Sequence, residues 1–351
     1  MADKKATGGA EAKPIALAGA HLLVTGAAGF IGSNFVQHLA AEHPDVRITV
    51  LDKLTYAGNP ANLKPLEGRK GYTFVKGDIA DPAVVDPLVA AADLVVNFAA
   101  ESFVDRAIED ARPFLRSNVE GPLVLLDAAR RHGITRFLQV STDEVYGEIF
   151  GPAATEAFPL LPRNPYAASK AGGDCLAYSF FATYDLPVVI TRCSNNYGPY
   201  QYPEKLIPLF TTNALDDKPL PVYGNGKNTR DWIHVSDHCR AIEAVLTAPG
   251  VEGEIFNVAA ENELDVLEIA AMILEALGKP QSLLNYVADR PGHDRRYALD
   301  AGKLKRLAGW EPKVSFPDGL YSTVQWYLQN EAWWRPIKSG EFREYYTRTS
   351  K

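Results

Sequence analysis

His21-Leu22-Leu23-Val24-Thr25-Gly26-Ala27-Ala28-Gly29-Phe30-Ile31-Gly32 is the stretch that decides the fold class. Its first five residues form a short apolar run suited to a buried parallel strand. A glycine turn follows, and then Phe35, Val36 and Leu39 recur at helical spacing. Strand, glycine turn, helix is the context in which glycines signify phosphate binding. They let the backbone approach a pyrophosphate, and the helix N-terminus offers free N–H groups and a positive dipole end. The spacing is G-x-x-G-x-x-G, which is a weak signal alone.

The residues downstream strengthen it. A second strand, Arg47-Ile48-Thr49-Val50-Leu51, ends in Asp52, twenty residues past Gly32, where a carboxylate can hold both ribose hydroxyls. That carboxylate repels a 2′-phosphate, so NAD is expected over NADP, with Lys53 acting slightly the other way. A third strand, Tyr72-Thr73-Phe74-Val75, leads to Gly77-Asp78-Ile79, placed to flank an adenine; Asp78 is equally readable as a helix cap before Pro82. A fourth, Leu94-Val95-Val96-Asn97-Phe98, ends in the small residues Ala99 and Ala100, then Glu101 and Ser102, where a flat cofactor can lie close.

A helix is expected over residues 114–131, and Arg136-Phe137-Leu138-Gln139-Val140 then delivers Thr142-Asp143-Glu144. Tyr166 and Lys170 stand four residues apart on one helical face, where a cation favours the phenolate and draws its pKa towards neutrality. Tyr166 is thus a candidate base for an alcohol, and Asp143 with Glu144 a second acid/base pair. A strand over 187–191 continues the alternation. The pattern predicts an α/β fold: a Rossmann-like, doubly wound parallel sheet with a smaller C-terminal substrate-binding lobe. Ligands of such sheets bind outside the carboxyl ends of the strands, where every motif named here falls.

The expected organisation is a flexible leader over 1–19 and an NAD-binding domain over 20–194 with a returning segment at about 231–259. Segments 195–230 and 260–351 form the expected substrate-binding lobe. Beyond Cys193 the chain is turn-rich and aromatic (Asn195-Asn196-Tyr197-Gly198-Pro199, then Pro221-Val222-Tyr223-Gly224). An amphipathic helix is expected over 264–277. Asp289-Arg290-Pro291-Gly292-His293-Asp294-Arg295-Arg296 gathers three arginines that can clamp a diphosphate, with Lys205 and Arg230 adding charge. His234, His238 and Cys239 resemble metal ligands, but Ser236 reads as a helix N-cap and no second cluster accompanies them, so no metal is expected. Trp326, Trp333 and Trp334 read as packing aromatics.

With 351 residues, 46% hydrophobic and 23% charged, the composition is that of a globular enzyme. A net charge of −7 argues against nucleic acid, and no run is long enough to span a membrane. Three scattered cysteines give no disulfide framework, which points to a reducing, cytoplasmic home.

Gly26 to Gly32, Phe98 to Ser102, Tyr166-x-x-x-Lys170 and Asn195-Asn196-Tyr197-Gly198-Pro199 together resemble the extended short-chain dehydrogenase/reductases that act on nucleotide sugars. Within them, Ser141-Thr142-Asp143-Glu144-Val145-Tyr146-Gly147, Pro203-Glu204-Lys205-Leu206-Ile207-Pro208 and Asp289 to Asp294 resemble the dTDP-glucose 4,6-dehydratase family. Phe103, where the family pattern usually has His, and Ala27, where a glycine is common, are departures. The resemblance implies NAD contacts at Gly26, Gly29, Phe30, Ile31, Gly32, Asp52, Lys53, Leu54, Thr55, Asp78, Ile79, Phe98, Ala99, Ala100, Ser102, Ser117, Tyr166, Lys170 and Asn196. It implies substrate contacts at Ser102, Thr142, Asn195, Lys205, Leu206, Pro221, Tyr223, Arg230, Asn262, Asp289, Arg290 and His293. It implies a reaction in which Tyr166 and Lys170 serve oxidation at C4, Thr142 bonds the 4-oxygen, Glu144 takes the C5 proton and Asp143 protonates the departing 6-hydroxyl. A homodimer with a four-helix interface, from the helices near 114–131 and 166–184, is also implied. The alternatives are a 4,6-dehydratase or a 4-epimerase for another nucleotide sugar; an epimerase has no need of Asp143 and Glu144. A dinucleotide-sensing regulator could dispense with Thr142, Tyr166 and Lys170.

Overall fold

The structure, a computed structural model, describes residues 13–289 and 293–340. Six strands alternate with helices: β1 His21–Thr25, β2 Arg47–Asp52, β3 Tyr72–Lys76, β4 Leu94–Asn97, β5 Arg136–Thr142 and β6 Val188–Cys193. A seventh, Ile255–Val258, returns to the edge beside β6. The order across the sheet is Ile255–Val258, β6, β5, β4, β1, β2, β3, and every pairing is parallel.

The apolar runs reflect burial on both faces. Leu22 and Val24 of β1 enter one core and Leu23 the other. Helices Phe30–Glu42 and Val235–Thr247 cover the first face through Phe35, Val36, Leu39, Ile242 and Val245. Helices Pro82–Ala90, Gly121–His132 and Pro165–Tyr184 cover the second through Val85, Val89, Leu125, Leu126, Ala177 and Phe180. The strand order reverses between β4 and β1, the switch point at which such sheets open a crevice.

A third core, including Phe210, Trp232, Ile273, Phe316 and Leu320, lies in the lobe. Helices Leu206–Leu215, Val266–Ala276 and Phe316–Gln329 surround it. Residues 299–310 do not join it: Leu299, Leu304 and Trp310 pack into the first core of the sheet. Residues 13–19, at the end of the expected leader, also lie on the sheet domain. Leu17 is buried there and the Ile15 N–H donates to Thr247 O at 2.9 Å.

Several local expectations change for identifiable reasons. The helix expected over 114–131 is three pieces, Arg112–Leu115, a π-helical Arg116–Glu120 and Gly121–His132. Within the π turn, Asn118 Nδ2 donates to Glu101 O (3.0 Å) and Ser169 Oγ (2.8 Å), tying it to two site elements. The helix expected to begin at Leu264 begins at Val266, because Asp265 and Glu268 form a capping box. Leu264 instead lies in the strand Glu263–Asp265. The helix after β-strand Thr229–His234 is capped by His234, not Ser236: His234 Nδ1 accepts from the Ser236 N–H at 3.3 Å. The tryptophans pack as expected. Trp334 is buried, and Trp326 and Trp333 meet at 5.2 Å between ring centroids.

Gly26 has φ +71°, and a Cβ there would lie 2.5 Å from Ala99 N in the backbone after β4. Gly26→Ala therefore meets both a left-handed conformation and an immovable neighbour. We expect it to lower stability by about 2–4 kcal/mol, seen as an earlier urea midpoint; an unchanged midpoint would show that the turn tolerates a side chain.

Candidate active site

A cavity of ≈ 310 Å³ runs along the carboxyl ends of β1, β2, β4 and β5. The turn after β1 forms one wall. Gly26 N–H donates to Leu51 O (2.9 Å) and Gly29 N–H to Gly26 O (3.1 Å). Asn62 Nδ2 holds Ala28 O at 2.8 Å, and Trp333 Nε1 in turn holds Asn62 Oδ1 at 2.8 Å. A C-terminal helix thus braces the glycine turn.

Asp52 closes β2 beside that turn. Its Oδ2 accepts from Ala28 N–H (2.9 Å) and its Oδ1 from Leu54 N–H (2.8 Å). Burial raises its pKa while these two bonds oppose the shift. Each oxygen keeps a lone pair for a ribose hydroxyl. Lys53 does not offset this charge: its Nζ pairs with Asp78 Oδ2 at 2.9 Å, as does Arg116 Nε at 3.1 Å. Asp78 is held below its ordinary pKa; partial burial opposes this, but the Ala80 N–H, Lys53 and Arg116 prevail. The helix cap near Pro82 is Asp81, whose Oδ1 accepts from Ala83 N–H, so Asp78 is not that cap. Glycines that admit a close ligand and an anion with spare acceptor capacity fit NAD.

The opposite wall carries the candidate reactive groups. β5 is buried along its length and ends at Thr142, where a 3₁₀ turn, Asp143–Tyr146, begins. Thr142 Oγ1 donates to Asp143 Oδ1 (3.2 Å) and accepts from Glu144 N–H (3.3 Å). Gly147 ends the turn at φ +74°, where a Cβ would lie 2.2 Å from Leu161 O. Asn164 serves both halves of the site. Its Oδ1 caps the next helix through Ala167 N–H (2.8 Å), and its Nδ2 donates to Glu144 Oε2 (3.1 Å).

Asp143 is 3% exposed, and its Oδ2 has no hydrogen-bond partner among the described residues. Burial, then the adjacent Glu144, push its pKa up to about 8, with Arg230 partly opposing. A carboxyl in this position is protonated at neutral pH and can donate. Tyr166 departs from expectation. Burial pushes its phenol well above the ordinary value, Glu144 adds to the shift, and a Thr142 hydrogen bond offsets part of it. Lys170 does not draw the phenol towards neutrality in the chain alone. Its Nζ donates to Val140 O at 2.7 Å, and burial lowers its own pKa against the pull of Asp174.

Of the expected cofactor residues, all but Leu54 line this cavity; Leu54, with φ +55°, contributes its N–H to Asp52 instead. Thr142, Asp143, Glu144, Ser102, Asn195 and Lys205 line it as well. Lys205 Nζ donates to Ser102 O (3.2 Å) and sits 5.1 Å from the Phe103 ring centroid, so the residue that departs from the family pattern faces a cation. Asp289 and His293 line a second cavity with Glu148, Arg163 and Arg295, and His293 Nδ1 lies 2.7 Å from Asp289 Oδ1. Leu206, Pro221, Tyr223, Arg230 and Asn262 line neither cavity. Arg230 Nη2 donates to Asp294 O (2.9 Å), which fixes the loop carrying His293. Arg290 lies outside the described residues.

Tyr56, Glu101, Cys193, Ser194, Tyr202 and Glu204 line the first cavity without having been expected there. Glu101 and Glu204 lie inside quoted motifs, so adjacency was an available signal; Tyr56 had none. His234 and His238 have structural partners: His234 Nδ1 meets Ser236 Oγ and His238 Nδ1 meets Asn196 Oδ1, each at 2.8 Å. No group of three or more metal-ligating side chains occurs among the described residues, and none of their helices is long and apolar enough to cross a membrane.

The family model described as GDP-mannose 4,6 dehydratase matches residues 23–323. A dTDP-glucose 4,6-dehydratase of Streptomyces niveus is 53% identical over 91% of this chain and 96% of its own. A dTDP-glucose 4,6-dehydratase structure from Streptomyces venezuelae, solved with NAD and TYD bound, superposes with a TM-score of 0.88 at 52% identity, covering 91% of this chain and 100% of that one. The UDP-glucose 4-epimerase of Thermotoga maritima, solved with UDP-glucose, shares the fold at a TM-score of 0.82 but only 28% identity, covering 89% of this chain and 99% of that one. With its glycine turn, Tyr166-x-x-x-Lys170 and adjacent Asp143 and Glu144, the chain belongs to the dTDP-glucose 4,6-dehydratase family of NAD-dependent short-chain dehydrogenase/reductases.

Proposed function

We propose that this chain dehydrates dTDP-glucose to dTDP-4-keto-6-deoxyglucose. The observation that carries the reading is the environment of Asp143: a buried carboxyl, with a pKa of about 8, directly beside the Asn164-oriented Glu144. An acid and a base on one turn suit elimination across C5 and C6, which epimerisation at C4 does not require.

Gly26, Gly29, Gly32 and Asp52 are the residues that would hold NAD. Bound NAD supplies a hydride acceptor for C4 and a hydride donor for C6 within one turnover, and its oxidised ring brings a positive charge into the cavity. With that charge present the Tyr166 phenol, raised by burial in the chain alone, is drawn down and takes the proton of the 4-hydroxyl, with Lys170 behind it on Val140 O. Thr142 bonds the 4-oxygen. The ketone acidifies C5–H, Glu144 removes that proton, and Asp143 protonates the departing 6-hydroxyl, which leaves as water. Glu144 then returns a proton to C5. Lys205 and Arg230 add positive charge for the diphosphate, and the loop of Asp289, Arg290 and His293 serves the nucleotide end.

We also propose a homodimer. Leu115, Leu123, Tyr178 and Tyr184 are exposed on helices Arg112–Leu115, Gly121–His132 and Pro165–Tyr184, and a symmetric partner would bury them in a four-helix interface. Its three free thiols suit the reducing cytoplasm.

Incubation with dTDP-glucose should yield a nucleotide sugar lighter by one water; unchanged substrate, or a 4-epimer, would defeat the assignment. Glu144→Gln should still form enzyme-bound NADH on mixing with dTDP-glucose, yet release product about 10²–10⁴-fold more slowly. Because Asp143 must be protonated to donate, turnover should fall as pH rises through about 8, and a rate constant across that range would remove Asp143 from the acid role. Light scattering should give twice the chain mass, and Leu123→Asp should halve it; a parent that scatters as a monomer ends the interface proposal.

A further inference from the structure

Next to the reactive groups, but outside the cavity lining, lies a buried polar chain to which the proposed reaction assigns nothing. Arg192, on β6, is 4% exposed. Its Nε donates to Asp174 Oδ2 at 2.9 Å and its Nη1 to Tyr146 Oη at 2.9 Å, with the guanidinium 4.9 Å from the Tyr146 ring centroid. Tyr146 Oη donates to Asn257 Oδ1 (2.8 Å), and Asn257 Nδ2 donates to Ala154 O (2.8 Å).

The two partners of Arg192 stand in different halves of the site. Asp174 follows Lys170 by one helical turn, on the face that carries Tyr166 and Lys170. Tyr146 closes the turn that Asp143 and Glu144 open. A guanidinium is the side chain suited to bridge them, since its planar fork donates in two fixed directions and it stays charged when buried. Asp174 is 1% exposed and its Oδ1 has no hydrogen-bond partner among the described residues. A half-satisfied buried carboxylate is costly unless its charge is used by neighbours. Two cations use it: Arg192 and then Lys170 counter the rise that burial imposes on Asp174, and Asp174 opposes the fall that burial imposes on Lys170.

We propose that Arg192 is a positioning residue for both halves of the reaction, holding the Tyr166–Lys170 helix through Asp174 and the Asp143–Glu144 turn through Tyr146. The proposal rests on the dehydratase reading for what each half does. The contacts themselves do not depend on the substrate.

The two arms are separable by conservative changes. Asp174→Asn should slow NADH appearance about tenfold after mixing with dTDP-glucose, with the later elimination unaltered. Tyr146→Phe should leave NADH appearance unaltered and slow elimination by a similar factor, and Arg192→Lys should slow both. Amide hydrogen exchange on the intact protein reads the same arms without turnover: faster exchange confined to 143–147 in Tyr146→Phe and to 166–174 in Asp174→Asn. Equal slowing of both steps in both single-arm variants, with lowered melting temperatures, would reduce the chain to a fold-stabilising network and overturn the proposal, as would exchange identical to the parent. A parent that fails to dehydrate dTDP-glucose would defeat the substrate reading alone, since the exchange arm still decides whether Arg192 orders both elements.

Discussion

The whole arrangement depends on a parallel sheet buried on both faces. Such a sheet leaves only its two ends for chemistry, and the switch between β4 and β1 opens one of them. The glycine turn, Asp52, Ser102, Thr142 and Asn195 are consequently neighbours despite their separation along the chain. Beneath them a buried ladder locks the strands: Thr25 Oγ1 donates to Asn97 Oδ1 (2.5 Å), and Asn97 Nδ2 to Gln139 Oε1 (2.8 Å). These bonds link β1, β4 and β5 just below the cavity floor, so the two walls share one rigid base.

That rigidity gives the site its chemistry. A carboxyl retains its proton near neutrality only if water is kept away and its partner charge is fixed close by. Both conditions hold at Asp143, where burial acts first and Glu144 second. Asn164 completes the arrangement, because the side chain that starts the Tyr166 helix also holds Glu144. Its two ends thus serve the start of the helix that bears Tyr166 and the carboxylate of Glu144. The fold shared with the UDP-glucose 4-epimerase is therefore a common frame, and the proposed elimination rests on the adjacent carboxylates Asp143 and Glu144.

Much was legible in the chain itself. The apolar runs, the glycine spacing and the alternation of periods indicated a doubly wound parallel sheet, because burial on both faces leaves continuous apolar strands. The position of Asp52 at a strand end, the Tyr166–Lys170 spacing and the Asp143–Glu144 pair mark candidate site residues in the sequence, because each is a local relation along one element. Tertiary structure decided what no local relation contains. Lys53 reads along the chain as a free cation beside Asp52, but the fold brings Asp78 to it, with Arg116 of the π turn on the same carboxylate. Lys170 looked like a partner for the phenol, yet its ammonium is committed to Val140 O on the neighbouring strand. Tyr56 reaches the cavity from a loop whose path no spacing encodes. His234 rather than Ser236 caps its helix because the cap depends on backbone angles, φ −67° and ψ 137°, and not on residue type alone. Patterns along an element follow from its repeat, and so can be read from the sequence. Ion pairing, burial and pKa depend on distances between elements, and only the folded chain sets those.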